Sequence, residues 1–366
     1  ASAICSPSRV SLMTGQNAAR HGVTCWTLRK DRSPEGNNQF LEGGPWNLNG
    51  LQPEGASIPR SVEATTLPGI LRAAGYRTIH AGKAHLGAAG TPGEDPRNLG
   101  FDVNIAGHAA GGPGSYHGDK NFSAAWRDGG RIWDEPGLEK YPGPQLNLTE
   151  ARTREAIAAM EKSVAAKRPF YLYMSHYAVH APWEEDRRFI EPYREKGLPK
   201  LQATLASMLE SMDRSLADLV GTLDRLGIAD NTVVVFMSDN GSPSNCPRNL
   251  PLRGHKITAY EGGTRVPLIV KWPGVTKPGQ RTDTPVIIED IFPTFLEMAG
   301  VKSPPGEPVD GMSFVPILKN PGTDRSERDL FWHYPTFYDQ PAFSSVRRGD
   351  WKLIYGHASQ ASVLYD

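Results

Sequence analysis

The sequence of 366 residues has no excess of charge of either sign. Lys and Arg together number 40, and Asp and Glu also number 40, so the formal net charge at pH 7 is zero. A protein without net charge exerts no long-range attraction on a polyanion, and any anion must be bound by a local cluster. We therefore expect no nucleic-acid partner.

Long apolar runs and cysteines are also scarce. No stretch approaches the roughly 18 apolar residues that a membrane-spanning helix requires, so no transmembrane segment is predicted. The three cysteines are Cys5, Cys25 and Cys246. An odd number leaves at least one thiol unpaired, and sequence alone does not decide whether Cys25 and Cys246 form a disulfide.

Helix and strand patterns alternate along most of the chain. Helices are predicted within 64–75, from Thr149 (as N-cap) to about 167, at 201–227 and within 283–300. A short strand is predicted after Gly75, and buried strands are predicted within 169–183, 231–241 and 266–274. This alternation is typical of an α/β domain with a mainly parallel or mixed sheet flanked by helices. Residues 88–147 are rich in Gly, Pro and aromatics, and we expect them to form a long loop region over a binding surface.

The pattern changes after Gly300. Residues 344–356 predict an antiparallel hairpin with Gly349 at its turn. We therefore predict a main domain at 1–304 and a small C-terminal α+β subdomain at 305–366.

Polar residues collect where the predicted strands end, which is the edge at which open α/β sheets bind ligands. They lie at 80–85, 175–180 and 238–240. In the last cluster, Asp239 and Asn240 offer a carboxylate and an amide oxygen, which suit Ca²⁺ or Mg²⁺. The alternative is a simple Asn-Gly turn after a strand.

The other two clusters contain basic side chains. Lys83 and His85, on a segment predicted to be extended, would point the same way, and their flanking glycines would let the backbone pass close to a ligand. They could instead be a solvated lysine and a loop histidine. His176 and His180 have a zinc-binding spacing only on a helix, which a preceding strand and Pro182 argue against. We favour His180 as a proton donor over a zinc pair, and a packing or capping role for His176.

Two further candidates lie outside these clusters. A local basic patch, which could also be a solvated face, comprises Arg253, His255, Lys256 and Arg265. Cys5 stands four residues before Arg9, so in a helix both side chains would face the same anion. As a thiol nucleophile, Cys5 would need a base or a helix N-terminus to become a thiolate.

Taken together, five segments resemble the type I, formylglycine-dependent sulfatases of the alkaline-phosphatase-like superfamily. They are CSPSRVSLMTGQNAARHG at 5–22, HAGKAHLG at 80–87, HYAVHAPW at 176–183, MSDNG at 237–241 and LRGHKITAYEGGTRVPLIVKWPG at 252–274. They come in the family's order, and the match covers nearly the whole chain. The resemblance implies a large mixed, mostly parallel sheet flanked by helices, and sulfuric ester hydrolysis.

The resemblance also implies roles for individual residues. Cys5 would be oxidised to formylglycine by a maturation enzyme, and the aldehyde hydrate would attack sulfur through one hydroxyl and expel sulfate with the other. The other implied roles are Arg9 for the hydrated aldehyde, Lys83 for the sulfate oxygens, His85 for the second hydroxyl's proton, His180 and Lys256 for the leaving oxygen, and Asp239 and Asn240, with Cys5, for Ca²⁺ or Mg²⁺.

One departure from the family concerns the metal. The family supplies two adjacent aspartates from a first strand upstream of C-x-P-S-R, but only four residues precede Cys5. SVLYD at the other end resembles a longer family strand cut short. We therefore expect a chain truncated at both ends, without its first strand, that binds metal weakly and has little or no activity by itself.

The predicted substrate contacts lie in the loop region, beside the proposed donor and in the basic patch. They are His108, Ser115, Tyr116, Trp183 and Arg253. Trp183 could stack on a sugar ring, and the alternative is that it packs its own loop. We expect a sulfated carbohydrate as substrate, and a bacterial enzyme that is periplasmic or secreted.

Two other functions remain open. A phosphodiesterase or phosphonate monoester hydrolase of the same superfamily can share C-x-P-S-R. A non-catalytic glycan-binding pseudoenzyme is the second, and it gains weight if Cys5 stays a thiol.

Overall fold

A computed structural model describes most of the chain, namely residues 1–35, 46–141, 143, 146–244 and 249–366. Cys246 lies outside the described residues, so its pairing with Cys25 stays a prediction. The chain divides into two compact units, one of residues 1–70, 86–93 and 231–366, and one of residues 71–85 and 94–230.

Helices and strands alternate through the chain, and short 3₁₀ turns occur between them. The helices are α1 Cys5–Thr14, α2 Ala18–His21, α3 Leu67–Ala73, α4 Leu148–Ala165, α5 Glu191–Glu195, α6 Lys200–Arg225, α7 Glu261–Thr264, α8 Ile291–Met298 and α9 Val315–Lys319. The strands are β1 Leu51–Gln52, β2 Val62–Glu63, β3 Arg77–Gly82, β4 Val103–Ile105, β5 Phe170–Ser175, β6 Val234–Met237, β7 Leu268–Lys271, β8 Leu330–Tyr334, β9 Phe343–Arg348, β10 Trp351–Gly356 and β11 Ala361–Tyr365.

The second unit is built on a parallel sheet of order β4-β3-β5. Helix α4 packs on this sheet, and α6 packs on α4. The core joins Ile79 and Ala81 of β3 to Ala156 and Ala159 of α4. Because alanine side chains are small and lie three residues apart on one helix face, they let α4 approach the sheet closely.

Most of the predicted helices are confirmed, with one correction to a cap. The 3.6-residue period at 201–227 corresponds to α6, and α3 and α8 end before Gly75 and Gly300, which have positive φ. Helix α4 is capped by Asn147, whose side chain accepts from the backbone N–H of Thr149, so Thr149 is not the N-cap. None of the described helices combines the length and hydrophobicity that crossing a bilayer requires.

The loop region at 88–147 contains a strand that the sequence did not indicate. Residues 103–105 form β4, which pairs in parallel with β3. A strand of three residues is too short to display a period, so its pairing is decided by the neighbouring strand rather than by its own pattern.

In the first unit, the strands predicted at 231–241 and 266–274 differ from expectation. β6 and β7 pair with each other in an antiparallel arrangement, and Ile269 of β7 is 63% exposed. They are therefore not strands covered on both faces. A short run of β-branched residues looks the same whether one face or both are buried.

The C-terminal part of the first unit is an antiparallel sheet of order β11-β10-β9-β8. The hairpin predicted at 344–356 is confirmed, with Gly349 at its turn. Trp332, Tyr334 and Phe343 of this sheet share a buried cluster with Ile4, beside the start of α1. The boundary predicted between 304 and 305 stays a prediction.

Candidate active site

Cys5 is the first residue of α1 and is buried. Ile4 before it is extended and gives no side-chain cap, and Gly15, in the left-handed conformation, ends the helix. The first turn of a helix presents backbone N–H groups that have no partner within the helix, and these favour anions. Helix α1 also puts Arg9 one turn after Cys5, as the spacing predicted.

Lys256 lies directly beside Cys5. Its Nζ donates to the Sγ of Cys5 at 3.2 Å. The backbone is fixed on both sides, because Lys256 donates to the carbonyl of Ser242 and Ile257 donates to the carbonyl of Ala3, each at 2.8 Å. Burial acts to lower the pKa of Lys256, but attraction to Cys5 and Asp239 outweighs it and raises the pKa. Lys256 is therefore a cationic donor at the position of the Cys5 side chain.

Arg9 is held by Asp239, which follows β6. Its Nε and Nη2 donate to one carboxylate oxygen of Asp239, at 2.9 and 2.7 Å. Arg9 is 6% exposed, so this is a charge-assisted contact in a largely dry environment. The structure thus brings Cys5, Arg9, Asp239 and Lys256 together in the first unit.

Asn240 carries a feature that an ordinary turn residue lacks. Its Oδ1 is buried without a hydrogen-bond partner, while its Nδ2 donates to the carbonyl of Gly241 at 2.9 Å. A Cβ on Gly241 would lie 1.8 Å from the carbonyl oxygen of Gly262, so only glycine fits there. An orphaned buried oxygen beside a carboxylate is suited to a cation.

The oxygens of Asp239 and Asn240 thus fit part of a calcium site. Ca²⁺ takes about 6–8 oxygen ligands, so two side chains are a partial set. Within the described part of the chain, no three His, Cys, Asp or Glu side chains are grouped as a metal site.

Lys83 follows β3 in the second unit and is buried. Its N–H donates to the carbonyl of Ser175, and the Ser175 hydroxyl donates back to the carbonyl of Lys83, both at 2.8 Å. Gly82 makes this approach feasible, because its φ is +112° and a Cβ would lie 1.9 Å from the Ser175 oxygen. The ends of β3 and β5 are therefore joined at Lys83.

His85 does not continue an extended segment, which corrects the premise on which a common direction with Lys83 was predicted. Its φ is +54°, so the alternation of side chains along a strand is broken there. Its N–H donates to the carbonyl of His108 at 3.1 Å. A Cβ on Gly111 would lie 2.4 Å from the His85 ring, so this glycine makes room for the imidazole.

His108 belongs to a buried network that the sequence did not reveal. Its Nε2 lies 3.3 Å from the Tyr177 hydroxyl and 3.6 Å from Glu135. Arg152 pairs with Glu135 and lies 4.3 Å from the Tyr177 ring centroid. Arg152 shares the buried face of α4 with Ala156, four residues on. This place on the apolar face of a predicted helix is the signal by which the sequence could have indicated a buried arginine.

His180 lies in the turn after β5, so the helical zinc arrangement is not formed. Its Nδ1 is 2.8 Å from the carbonyl of Ala181. Because a carbonyl only accepts, Nδ1 carries a proton, which makes Nε2 the ring atom that can exchange one. For His176, burial and then the charge of Arg152 lower the pKa to about 4, which agrees with a packing role.

The predicted substrate contacts differ in exposure. Ser115 and Tyr116 are buried, whereas Trp183 is 37% exposed. In the first unit, Arg253 is exposed and lies 4.0 Å from the ring centroid of Tyr260. Their assignment to the substrate stays a prediction, and the burial of Ser115 and Tyr116 favours a structural contribution from these two.

Comparison with known proteins identifies the family. The family model described as "Sulfatase" matches residues 1–301, and the one described as "N-sulphoglucosamine sulphohydrolase, C-terminal" matches residues 255–366. N-acetylgalactosamine-6-sulfatase of Mus musculus is 32% identical over 339 residues, which are 89% of this chain and 59% of the relative. A protein named "Sulfatase" from Formosa agariphila is 29% identical, over 99% of this chain and 72% of its own length.

A solved structure agrees with these relatives. Ps i-CgsB, in complex with k-i-k-neocarrahexaose, has a TM-score of 0.77 and 26% identity, over 100% of this chain and 76% of that one. This chain spans about 60% of the length of the mammalian relatives it matches. The fold predicted from the sequence, an α/β alkaline-phosphatase-like one, is confirmed. The chain belongs to the type I sulfatase family of the alkaline-phosphatase-like superfamily.

Proposed function

We propose that the whole protein hydrolyses sulfate esters of carbohydrates, with a formylglycine made from Cys5 as the reacting group. The observation that carries the proposal is the 3.2 Å contact between Lys256 Nζ and Cys5 Sγ at the buried start of α1. The sulfur stands where an oxygen of the formylglycine hydrate would be. That hydrate supplies two hydroxyls on one carbon, which neither cysteine nor serine has.

The cations of the first unit suit the charge that develops at sulfur. Lys256 would stabilise an oxygen at the Cys5 position and then the leaving oxygen. Arg9 would hold the hydrate, and its pairing with Asp239 fixes its guanidinium before substrate arrives. Cations held in place in advance stabilise a developing anion without paying for reorganisation during the reaction.

For the second unit by itself, we propose the roles that the family resemblance gives to Lys83, His85 and His180. Lys83 would bind sulfate oxygens, and its buried position favours a strong interaction with an anion. His85 would accept a proton from the hydrate as sulfate leaves. His180 would donate from Nε2 to the sugar oxygen, in the tautomer that its contact with Ala181 favours.

Asp239 and Asn240 would hold a divalent cation, Ca²⁺ or alternatively Mg²⁺. When bound, such a cation polarises sulfate oxygens as a Lewis acid. The orphaned Oδ1 of Asn240 supports this assignment, because a buried amide oxygen without a donor costs free energy unless something else satisfies it.

A carbohydrate leaving group is supported by the relatives. N-acetylgalactosamine-6-sulfatases are among them, and a structural neighbour was solved with a neocarrahexaose. Trp183, three residues after His180, is partly exposed and offers an apolar face of the kind that packs on a sugar ring.

The test combines mass spectrometry with turnover. The whole protein would be co-expressed with a formylglycine-generating enzyme, and the Cys5 peptide would be analysed for an aldehyde or its hydrate. Sulfate release would be measured from N-acetylgalactosamine 6-sulfate, carrageenan oligosaccharides and 4-nitrophenyl sulfate, with Cys5→Ala as the inactive control. Faster turnover of phosphonate monoesters than of sulfate esters would favour the alternative of a phosphonate monoester hydrolase. A stoichiometric thiol with glycan binding but no turnover would favour the pseudoenzyme.

The donor role of His180 has its own test. His180→Ala should slow sugar sulfates at least about tenfold more than 4-nitrophenyl sulfate, because nitrophenolate leaves without a proton. His357→Ala changes a histidine in the turn after β10 that hydrogen-bonds Ser344, and should leave both rates unchanged. Equal losses on the two substrates would remove the proton-donor role.

A further inference from the structure

The carboxylate of Glu184 accepts hydrogen bonds from three donors in the segment 115–120. Its Oε2 accepts from the Ser115 hydroxyl at 2.6 Å and from the Tyr116 N–H at 2.7 Å. Its Oε1 accepts from Lys120 Nζ at 2.6 Å. The Glu184 side chain is 9% exposed, so these charge-assisted bonds are shielded from water.

A second bond ties the same segment to the other end of the His180 loop. The Tyr116 hydroxyl donates to the carbonyl of His180 at 2.9 Å, and Tyr116 is 1% exposed. The loop 180–184 is therefore fixed at its first residue by Tyr116 and at its last by the contacts of Glu184. His180 and Trp183 lie on this fixed loop.

The negative charge of Glu184 matters to the arrangement. Burial acts to raise its pKa, but the bonds from Lys120, Ser115 and Tyr116 outweigh this and lower it. A glutamine amide at this position would replace one acceptor oxygen by an NH2 group. That NH2 group would face a hydrogen-bond donor and could not accept from it. The loss of charge should therefore loosen the segment even where the size of the side chain is kept.

We infer that Glu184 is a positioning residue, which sets the orientation of His180 and Trp183 by clamping residues 115–120 to their loop. With both oxygens engaged by donors of the protein, the carboxylate acts on substrate through other residues. The inference rests on the proposed function for its catalytic consequence, but the clamp itself can be measured without turnover.

The first experiment is hydrogen exchange with mass spectrometry. In Glu184→Gln, the peptide that contains Tyr116 should exchange at least about tenfold faster, because its N–H loses a carboxylate acceptor. Glu185→Gln is the matched control: it removes one charge from the next residue, whose carboxylate pairs with the exposed Arg194 at 2.7 and 2.8 Å. This control should leave exchange at 115–120 unchanged. Equal exchange in both variants would overturn the clamp.

The second experiment is kinetic. Glu184→Gln should lower kcat/KM for the sugar sulfate at least about tenfold, with kcat falling, since a misplaced His180 donates poorly. On 4-nitrophenyl sulfate the loss should stay below about threefold, because that leaving group needs no proton. Glu185→Gln should change neither substrate. A uniform loss on both substrates, or none, would refute the positioning role.

Lys120→Met provides a second, milder variant in case Glu184→Gln does not fold. It removes one of the three donors and leaves Ser115 and Tyr116 in place, so it should show the same substrate split at a smaller size. If the whole wild-type protein hydrolysed no sulfate ester, the proposed function would fail, and the exchange experiment would still test the clamp.

Discussion

Two buried titratable groups of the first unit should make stability depend on pH in opposite directions. His21 is 1% exposed; its Nδ1 accepts from the N–H of Val23 at 3.0 Å and its Nε2 lies 3.1 Å from the Ser11 hydroxyl. A second ring proton would face the Val23 N–H. Burial lowers the pKa of His21 to about 3. For Glu289, burial raises the pKa to about 7, although a bond from Asn17 opposes the shift.

The signs follow from proton linkage. His21 has a folded pKa below its unfolded value of 6.5, so its stabilising effect is lost as the pH falls below 6.5 toward 3. Glu289 has a folded pKa above its unfolded value of 4.5, so its stabilising effect is present below 4.5 and lost as the pH rises through 7. When the pH falls from 8 to 5, His21 should lower the unfolding free energy by about 2 kcal/mol and Glu289 should raise it by about 2–3 kcal/mol.

The assay is urea unfolding at pH 8 and pH 5 for the wild type, His21→Gln and Glu289→Gln. Glutamine keeps hydrogen-bonding atoms at both positions but does not titrate. Relative to wild type, His21→Gln should gain about 2 kcal/mol of unfolding free energy on acidification, and Glu289→Gln should lose about 2–3 kcal/mol. Using differences between proteins removes the contribution of all other groups. Parallel wild-type and variant profiles would refute the reasoning.

Three further predictions follow from close packing and buried charge. Gly82→Ala should lower the unfolding free energy by several kcal/mol in thermal or urea unfolding, and by more than Gly75→Ala, which also needs a positive φ but meets no atom within 4 Å and should cost about 1 kcal/mol. Arg152→Met should cost about 3–5 kcal/mol, because Glu135 would stay buried without its cation, and a second change of Glu135→Gln should restore part of the loss. Asn240→Leu should weaken Ca²⁺ binding at least about tenfold by calorimetry with little change in melting temperature, whereas a large fall in melting temperature would indicate a purely structural residue.

The helices were the most predictable part of the fold. At 201–227, apolar residues recur with a helical period over many turns, and the structure has α6 at 200–225. A pattern of that length determines both the type of element and its buried face. Short strands give less information: β4 has three residues, and β7 does not reveal that its partner runs antiparallel. Strand pairing depends on distant segments that a local pattern does not contain.

The relation between Cys5 and Arg9 followed from the sequence because its geometry is local. Cys5 and Arg9 are one helical turn apart, so the helix alone sets their relation. The contacts made by Lys256 with Cys5 and by Asp239 with Arg9 join residues more than 200 positions apart. No spacing rule reaches that far, and the family motifs were what indicated that these residues act together.

The glycines around Lys83 show where a correct local inference stops. Glycine in HAGKAHLG indicates that the backbone passes close to something, and a ligand was the expected neighbour. At Gly82 the neighbour is the carbonyl of Ser175, at the end of β5. The ring of His85 is accommodated by Gly111, which lies outside the motif. A glycine thus reports close approach but not the approaching group, so the function of such a motif depends on a partner strand or loop elsewhere in the chain.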